Sequence, residues 1–364
     1  MTGIYRRDVR CFFFDSITMK SGSKGAMKTI ILEEPGRFSL TDTAKPNRAN
    51  PSEALVRVHR VGICGTDLHA FEGTQSFFTY PRIVGHELGV EIVEIDSNEF
   101  DLKTGDSCAL EPYLHCGECI ACRRGKTNCC VNLKVMGVHV DGGMREYITV
   151  PIHKLHKSNQ LSCDQLALVE TLGIGAHAVR RANPQPDDVV LIIGVGPIGL
   201  TVLTFVKSCK APVIVMDINE NRLDFCRNAI NVENCIHANR SAADSIQKLL
   251  GGELPTVVFD CTGNSESMQD SFQLVANGGS LIFVGLYKGN LTFHDPEFHR
   301  RELTLYASRN STAEDFKRII SLMENNEIDA SPWITHRVPF TKMIDEFPQW
   351  LQPENRVLKA MVEW

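Results

Sequence analysis

Four cysteines lie close together in the first half of the chain, and their spacing is typical of a metal site. They are Cys116, Cys119, Cys122 and Cys130, in the pattern C-x2-C-x2-C-x7-C. Four thiolates at this spacing suit a tetrahedral structural zinc ion. Cys129 is an alternative fourth ligand, although the spacing favours Cys130. Iron–sulfur ligation is the competing interpretation, but the x3-C-P ending of the ferredoxin pattern is absent.

Other residues that can bind a metal ion are spread along the chain. They are Cys64, His86, Glu87 and Glu170. Thiolate, imidazole and carboxylate groups are ligands that zinc takes in proteins, and catalytic zinc sites keep one position open for water or substrate. A lone cysteine or histidine is more often packed in a core, so these residues gain meaning only together with the other motifs.

A glycine pattern in the second half of the chain predicts a dinucleotide site. Gly194, Gly196 and Gly199 form G-x-G-x-x-G between an apolar run and a helix-like segment. The first glycine permits the tight turn, the second lets the backbone approach a pyrophosphate, and the third allows close helix–strand packing. The N-terminus of the helix then offers free N–H groups to the phosphates. A tight turn in a fold that binds no dinucleotide is the alternative.

An acidic residue follows the glycine pattern at the expected distance. Asp217 ends the next apolar run, 23 residues after Gly194. An acid at about 20 residues binds the ribose hydroxyls of NAD, and a carboxylate there repels the 2′-phosphate of NADP. NAD is therefore the predicted cofactor, and Pro197, Ile198 and Arg222 complete the predicted cofactor-binding residues.

The elements that carry these residues change in character along the chain. From Met27 to about residue 150, short β-branched runs separated by Pro and Gly predict a mostly β region. After about residue 175, strands alternate with helices, which predicts an α/β unit with a doubly wound parallel sheet. Its six predicted strands are residues 189–193, 213–216, 235–237, 257–259, 281–284 and 303–306. Beyond Arg309 we expect further helices and Pro-containing loops.

Composition narrows the class of protein. The 364 residues are 43% hydrophobic and 23% charged, which excludes a wholly disordered or fibrous chain. The net charge of −6 indicates no nucleic-acid partner, since that would require a basic patch. The uncharged run 189–206 is interrupted by glycines and a proline, so we reject a membrane span.

The first residues of the chain and its cysteine content bear on the compartment. No secretory signal is evident, so the 13 cysteines indicate metal ligands and buried thiols in a reducing, cytoplasmic setting. We expect residues 1–26 to be a disordered extension, or to precede the true start at Met27. A mitochondrial presequence is the alternative, because Arg6, Arg7 and Arg10 occur early.

Taken together, these motifs resemble those of the zinc-dependent medium-chain dehydrogenases over residues 27–364. The resemblance implies a catalytic zinc held by Cys64 and His86, with Glu87 beside the metal as ligand or close neighbour. The remaining ligand position matches Glu170, as in the sorbitol- and threonine-type enzymes, and indicates the polyol branch. The cysteine pattern adds a structural zinc, so two zinc ions per chain are expected.

Several stretches are closer still to the bacterial sugar-acid branch, the L-galactonate and L-gulonate 5-dehydrogenases. These stretches are residues 77–82, 136–143, 285–289, 295–299 and 308–310. The resemblance therefore implies hydride transfer from a secondary alcohol of a sugar acid or a polyol to NAD. An alcohol or L-threonine dehydrogenase is the alternative. A non-enzymatic dinucleotide sensor on the same scaffold is the second alternative, which the complete set of ligands disfavours.

The resemblance also assigns roles to individual residues near the expected substrate. Thr66 matches the hydroxyl that accepts the substrate proton, and His69 lies where a proton relay ends, although a plain surface histidine is equally expected. Arg309 follows the last predicted strand of the sheet and is our candidate for pairing with a substrate carboxylate, the alternative being a contact to nicotinamide or backbone.

The implied fold has two domains. A GroES-like, β-rich catalytic domain spans residues 27–173 and 309–364, and a Rossmann NAD-binding domain spans residues 174–308. The active site is expected in the cleft between them. The expected partner is a small-molecule substrate, and the resemblance implies a homodimer or homotetramer.

Overall fold

The computed structural model describes residues 25–48, 50–76 and 78–364. Most of the expected N-terminal extension, and Phe77 of one quoted stretch, lie outside the described residues. In the first part of the chain the strands are β1 (Ala26–Glu34), β2 (Arg37–Ala44), β3 (Glu53–Ile63), β4 (Glu87–Glu94), β5 (Ser107–Leu110), β6 (Tyr113–Leu114), β7 (Lys134–Val135), β8 (Tyr147–Pro151) and β9 (Leu155–Lys157), and the helices are α1 (Gly65–Phe71), α2 (Ile120–Arg123) and α3 (Cys163–Ala182).

The first part of the chain is β-rich, as the sequence predicted. Its main sheet has the order β16-β17-β3-β4-β5-β9, and β8 pairs with β3 off this path. Val56, Val58 and Val61 of β3 are fully buried. They belong to a hydrophobic core beneath this sheet, where β-branched side chains pack well on a pleated surface. The long central pair β3 and β4 is the scaffold from which the candidate metal ligands project.

The second part of the chain forms a six-stranded parallel sheet. Its strands are β10 (Val190–Ile193), β11 (Val213–Asp217), β12 (Asn234–His237), β13 (Val257–Asp260), β14 (Ser280–Phe283) and β15 (Thr304–Ala307), and its helices are α4 (Pro197–Ser208), α5 (Glu220–Ala229), α6 (Ala242–Leu249), α7 (Ser265–Asp270) and α8 (Asp295–Arg300). The order β12-β11-β10-β13-β14-β15 is the doubly wound order of dinucleotide-binding sheets. Each predicted strand overlaps an observed one, which confirms the predicted fold class.

The uncharged run 189–206 is divided between two elements. It supplies β10, the turn that follows and most of α4. All four residues of β10 are buried, as expected for a strand covered by helices on both faces of a parallel sheet. Within the residues that the structure describes, no helix is both long and apolar enough to cross a membrane.

Helix α3 joins the two sheets. It begins at a capping box in which Ser162 Oγ accepts from the Gln165 backbone N–H, and 13 of its 20 residues are buried. It packs against β4 on one side and α4 on the other. A side chain at Gly175 would overlap the backbone of Thr201 in α4. The expected boundary between residues 173 and 174 lies inside this continuous helix, and the division into domains stays a prediction.

The last residues return to the β-rich sheet. This region contains α9 (Ala313–Glu324), β16 (Ile334–Pro339), α10 (Phe340–Glu346) and β17 (Lys359–Glu363). The sequence predicted only helices and loops here, so both strands are additions to that prediction. In the antiparallel pair of β17 with β3, Ala360 lies opposite Ile63, and this pairing brings the end of the chain beside the candidate metal ligands.

Candidate metal centre and active site

Three candidate metal ligands from different elements meet in the interior. Cys64 follows β3 directly and caps α1, His86 precedes β4, and Glu87 opens β4. One ligand atom of each residue lies within 4.8 Å of those of the other two. Because β3 and β4 are antiparallel neighbours, the end of one strand and the start of the next lie side by side. The set of sulfur, nitrogen and oxygen donors is one that zinc accepts.

A buried aspartate supports this group, and the sequence analysis did not single it out. Asp67 is 1% exposed, and its carboxylate accepts hydrogen bonds from the backbone N–H of Cys64 at 3.0 Å and of Gly85 at 3.3 Å. Its Oδ1 lies 3.7 Å from Nδ1 of His86. Burial raises the pKa of Asp67, although the nearby His86 opposes that shift. The carboxylate therefore acts on the imidazole ring through its charge rather than through a hydrogen bond.

Electrostatics around His86 suit a ligand in a negatively charged site. Burial by itself would lower the pKa of His86, but the charges of Asp67 and Cys64 raise it well above its usual value. Nδ1 of His86 is buried and has no hydrogen-bond partner among the described residues. The imidazole therefore faces negative charge that a metal ion could neutralise.

Glu170 and Glu87 are both buried but are held by different partners. Glu170 projects from α3, is 5% exposed and accepts a hydrogen bond from the Tyr113 hydroxyl. Burial raises the pKa of Glu170. Glu87 is fully buried and pairs with Lys359 of β17. Neither Tyr113 nor Lys359 was predicted, because nothing in their local sequence connects them to a site.

Helix α1 carries the two residues expected to move a proton. Thr66 is half-buried, and His69 is three residues further along the helix. Positions three residues apart lie on the same face of a helix. The His69 side chain is 56% exposed, and its Nδ1 lies 3.4 Å from Oε2 of Glu72. The structure thus places His69 at the surface. This position is compatible with the end of a proton relay and with a plain surface histidine.

The cysteine pattern forms a compact second group. The four sulfur atoms lie within 4.8 Å of one another. Sγ of Cys119 is 3.5 Å from that of Cys122, and Sγ of Cys130 is 3.5 Å from that of Cys116. Sulfur ligands bound to a tetrahedral zinc lie about 3.8 Å apart, given bonds of about 2.3 Å. Four thiols at this spacing fit zinc without rearrangement of the loop.

Backbone N–H groups favour the thiolate form of one cysteine in this loop, whereas burial raises the pKa of the neighbouring Cys122 thiol to about 12. The N–H groups of Cys122 and Val131 lower the pKa of the Cys119 thiol to about 6. Sγ of Cys130 accepts from the N–H of Cys116 at 3.3 Å and of Asn132 at 3.4 Å. Thiolate, not thiol, is the form that binds a metal. Cys129, the alternative fourth ligand, is exposed and falls outside the group of four.

The glycine loop has the conformation that its pattern requires. Gly194 has φ 83°, a left-handed conformation that favours glycine. A side chain at Gly199 would overlap the carbonyl oxygen of Gly194. Helix α4 begins at Pro197, with Gly196 as its N-cap, and Ile198 is half-buried in its first turn. The loop therefore leaves the first N–H groups of α4 free at the edge of the sheet.

Asp217 and Arg222 lie beside this loop. Asp217 is 4% exposed and its Oδ2 accepts from the Val195 N–H at 2.8 Å. The Arg222 guanidinium lies 3.6 Å from Asp217 Oδ2. It is also the group that a side chain at Gly196 would meet first, at 3.4 Å. The predicted acid and the predicted arginine are thus brought together at the glycine loop.

Arg309 lies just beyond β15 and is exposed. Its backbone carbonyl oxygen accepts from Nδ2 of Asn128 at 2.8 Å. Burial lowers the pKa of His139, and the charges of Arg309 and Arg82 lower it further. Within the described residues the Arg309 guanidinium makes no hydrogen bond to protein. Arg82 also acts on His139, but its guanidinium is paired with Asp141 at 3.2 Å.

Two family models match the chain. Residues 50–160 match the alcohol dehydrogenase GroES-like domain. Residues 197–325 match the zinc-binding dehydrogenase domain. The first match contains both groups of candidate metal ligands. Glu170, which was also predicted as a ligand, lies outside both groups and outside this match. The second match contains most of the parallel sheet.

Similar proteins cover nearly the whole chain. The L-galactonate-5-dehydrogenase of Escherichia coli (strain K12) is 40% identical over 92% of this chain and 98% of its own length. An L-arabinitol 4-dehydrogenase of Aureobasidium melanogenum is 30% identical over 89% and 91%. The crystal structure of a short chain alcohol dehydrogenase (rspB) from E. coli CFT073, complexed with NADH, has a TM-score of 0.87 at 26% identity and covers 94% of this chain and 100% of its own.

Proposed function

This chain belongs to the zinc-dependent medium-chain dehydrogenases, as its motifs predicted, and we propose that it oxidises a secondary hydroxyl of a sugar acid while reducing NAD. The observation that carries the proposal is the buried meeting of Cys64, His86 and Glu87. The similarity to an L-galactonate-5-dehydrogenase along almost its whole length supports a sugar acid as substrate.

In this proposal the two groups of ligands hold two zinc ions. Cys64 and His86 would hold the catalytic ion together with a buried glutamate, and the four-cysteine loop would hold the structural ion. Zinc supplies Lewis-acid polarisation of the substrate hydroxyl, and NAD accepts the hydride. The Asp67 carboxylate, 3.7 Å from Nδ1 of His86, would add negative charge beside the metal site.

The substrate proton leaves along helix α1. The Thr66 hydroxyl is two residues from Cys64 and can accept a hydrogen bond from the substrate. His69 lies on the same face of the helix and is 56% exposed, so it can exchange the proton with solvent.

NAD binds across the glycine loop. Gly194, Gly196 and Gly199 would leave room for the pyrophosphate, and the free N–H of Ile198 would face it, while Pro197, which has no N–H, begins the helix. Asp217 already accepts two backbone N–H groups, from Val195 and Asn219. A carboxylate has about four acceptor sites, so two remain for the ribose hydroxyls. Arg222 lies over the loop as a further contact to the cofactor.

Arg309 is the proposed partner of the substrate carboxylate. It lies at the carboxyl end of β15, and ligands bind at the carboxyl ends of strands in sheets of this kind. Its exposed guanidinium is free to form a bidentate pair.

The first experiment is a substrate panel with zinc-loaded protein. Initial rates of NAD reduction are compared for L-galactonate, L-gulonate, sorbitol, galactitol, L-threonine and ethanol. We expect one aldonate to have the highest kcat/KM. Turnover of L-threonine or ethanol alone would contradict the sugar-acid proposal. An inactive, metal-loaded protein would favour the dinucleotide sensor.

The Arg309→Ala variant tests how the substrate is recognised. Loss of a charge-assisted pair of about 1.5–3 kcal/mol should raise KM for the aldonate roughly 10- to 150-fold, while KM for a neutral polyol changes little. Arg300→Ala, which removes an exposed arginine paired with Glu297, is the matched control. Equal effects of Arg309→Ala on aldonate and polyol would rule out a carboxylate contact.

A polyol is the second candidate substrate. The observation that favours it is the similarity to an L-arabinitol 4-dehydrogenase. Glu170 is present at the position that is typical of the polyol branch. In the panel, a polyol with a higher kcat/KM than either aldonate would support this candidate.

We also propose a homodimer or homotetramer in the cytoplasm. The family supports an oligomer, and reduced cysteines at a metal site need a reducing compartment. Light scattering of the purified protein tests the assembly, since a monomer at micromolar concentration would contradict it.

A further inference from the structure

The two residues on either side of Arg309 carry buried polar atoms that have no partner. Oγ of Ser308 and Nδ2 of Asn310 are buried, and neither atom makes a hydrogen bond within residues 25–48, 50–76 and 78–364. Buried polar groups in folded proteins nearly always have a partner, because an unpaired one loses its hydration without compensation. Two such atoms within three residues therefore point to a partner from outside the chain.

The backbone of Asn310 is held in an unfavourable conformation. Its φ is 52°, in the left-handed region that residues other than glycine seldom adopt. The chain is anchored on both sides of it. The Ser308 N–H donates to the carbonyl oxygen of Phe283 at 2.9 Å, and the Thr312 N–H donates to Oδ2 of Asp315 at 2.9 Å. Backbone strain that is fixed in this way is typical of sites that bind ligands.

The segment 308–311 lies between the proposed NAD site and the helix that carries Glu170. Ser308 directly follows β15, at the carboxyl end of the strand, where ligands bind in doubly wound sheets. Ser311 is fully buried against α3, since a Cβ atom at Gly173 would lie 2.5 Å from its Oγ. Gly173 is three residues from Glu170, so the two positions share one face of α3. The unpartnered atoms are thus close to both proposed reactants.

The chemistry of the two side chains suits hydroxyl groups. The amide of Asn310 has two N–H donors and a carbonyl acceptor, and the Ser308 hydroxyl both donates and accepts. Neither side chain is charged, so an anion is matched better by Arg309 between them. A sugar acid or a polyol carries several hydroxyls besides the one that is oxidised, and each exchanges water for a protein partner when it is buried.

We propose that Ser308 and Asn310 bind hydroxyl groups of the substrate other than the one that is oxidised, and so select polyhydroxylated substrates over simple secondary alcohols. A site built to hydrogen-bond a hydroxyl rejects an analogue that lacks it, because the buried polar groups then stay unpaired. This role is shared by aldonates and neutral polyols, unlike that of Arg309. The inference rests on the proposed function, because it requires such a substrate beside β15.

The test uses full-length, zinc-loaded protein and the variant Asn310→Gly, since glycine removes the side chain and accepts the left-handed backbone. Steady-state kinetics compare the best aldonate and the best polyol of the substrate panel with propan-2-ol. We expect kcat/KM for the aldonate and for the polyol to fall about 10-fold, and kcat/KM for propan-2-ol to stay unchanged. For a compound that is not oxidised, its inhibition constant against the oxidised substrate replaces kcat/KM. Asn326→Gly, at an exposed asparagine with φ 58°, is the matched control and should change none of these values.

A second variant and a binding measurement separate substrate recognition from a general loss of structure. Ser308→Ala removes the hydroxyl and keeps the backbone hydrogen bond to Phe283. It should show the same pattern, with a loss of about 10-fold for the aldonate and the polyol only. If Asn310→Gly does not fold, Ser308→Ala decides alone. Fluorescence titration with NADH should give the same Kd for both variants as for the unaltered protein.

Other outcomes refute the inference. Unchanged kinetics would show that solvent alone meets the two buried atoms, and an equal loss for propan-2-ol would show a role that does not depend on further hydroxyls. A loss for the aldonate alone would assign the contact to its carboxylate, and weaker NADH binding would assign it to the cofactor. If the unaltered protein oxidises neither an aldonate nor a polyol, the proposed function is refuted, and this inference with it.

Discussion

Asp315 connects α9 to α3, and its buried charge offers a quantitative test of how these helices are held together. Asp315 is fully buried. Its Oδ1 accepts from Arg180 Nε at 2.8 Å, and its Oδ2 accepts from the Thr312 N–H at 2.9 Å and lies 3.0 Å from His177 Nδ1. Burial by itself would raise the pKa of Asp315, but its partners hold that pKa well below its usual value.

The perturbation is Asp315→Asn, which keeps the shape and removes the charge. Removing one partner of a buried pair costs roughly 3–5 kcal/mol. Because the Arg180 side chain is 36% exposed and stays hydrated, we expect the lower end, a loss of about 3 kcal/mol in the free energy of unfolding at pH 7. A carboxyl with a lowered pKa stabilises the fold fully above its unfolded pKa of about 3.9 and loses this effect as the pH falls through its folded value.

The assay is urea unfolding of zinc-loaded protein, followed by tryptophan fluorescence at pH 7, 5 and 4. We expect the same difference between Asp315→Asn and the unaltered protein at pH 7 and 5, and a smaller difference at pH 4 and below. Glu314→Gln is the matched control, since Glu314 is 76% exposed and also faces Arg180, at 3.5 Å. That control should stay within about 0.5 kcal/mol. A loss as small as the control, or a difference that grows on acidification, would refute the reasoning.

Three further variants test the substrate contact, the cofactor loop and the four-cysteine loop. Asn128→Ala removes the 2.8 Å hydrogen bond to the Arg309 carbonyl oxygen. Steady-state kinetics should then show a KM for the aldonate about 10-fold higher, with kcat little changed. An unchanged KM would contradict a role of Asn128 in positioning Arg309. Asp217→Ser removes the carboxylate that would repel a 2′-phosphate. The ratio of kcat/KM for NADP to kcat/KM for NAD should therefore rise about 100-fold, which is equivalent to about 2.7 kcal/mol. An unaltered ratio would contradict the role assigned to Asp217. Cys119→Ser should lower the zinc content by one equivalent per chain in elemental analysis and reduce the unfolding midpoint, whereas full zinc content would show that the loop is not a zinc site.

The features that the sequence predicted well are local. Each strand of the parallel sheet is a short apolar run between turns, and each was predicted to within a few residues. The glycine loop needs Gly194 in a left-handed conformation and Gly199 against a carbonyl oxygen, and both demands are met within six residues of chain. The four-cysteine loop is equally local, because its fifteen residues bring the sulfur atoms together without help from distant segments.

The roles of individual site residues remain predictions to different degrees. Cys64, His86 and Glu87 meet in space, so the structure supports their grouping. His69 is exposed, and Arg309 makes no hydrogen bond to the described protein, so neither geometry assigns a role. The roles of His69 and Arg309 depend on contacts with a bound substrate, so the kinetic tests decide them.

Local sequence patterns are therefore enough to predict the class of chemistry, whereas the charge balance of the buried site depends on how the whole chain packs. Motif spacing indicated the metal ligands and the cofactor loop, since each depends on a few neighbouring residues. Lys359 lies 272 residues from Glu87, and a single lysine in a short apolar strand gives no local signal of burial. Asp67 and Tyr113 are similar cases. Their importance arises because buried charges must find partners, and partners are chosen by strand pairing and packing across the whole chain rather than by distance along it.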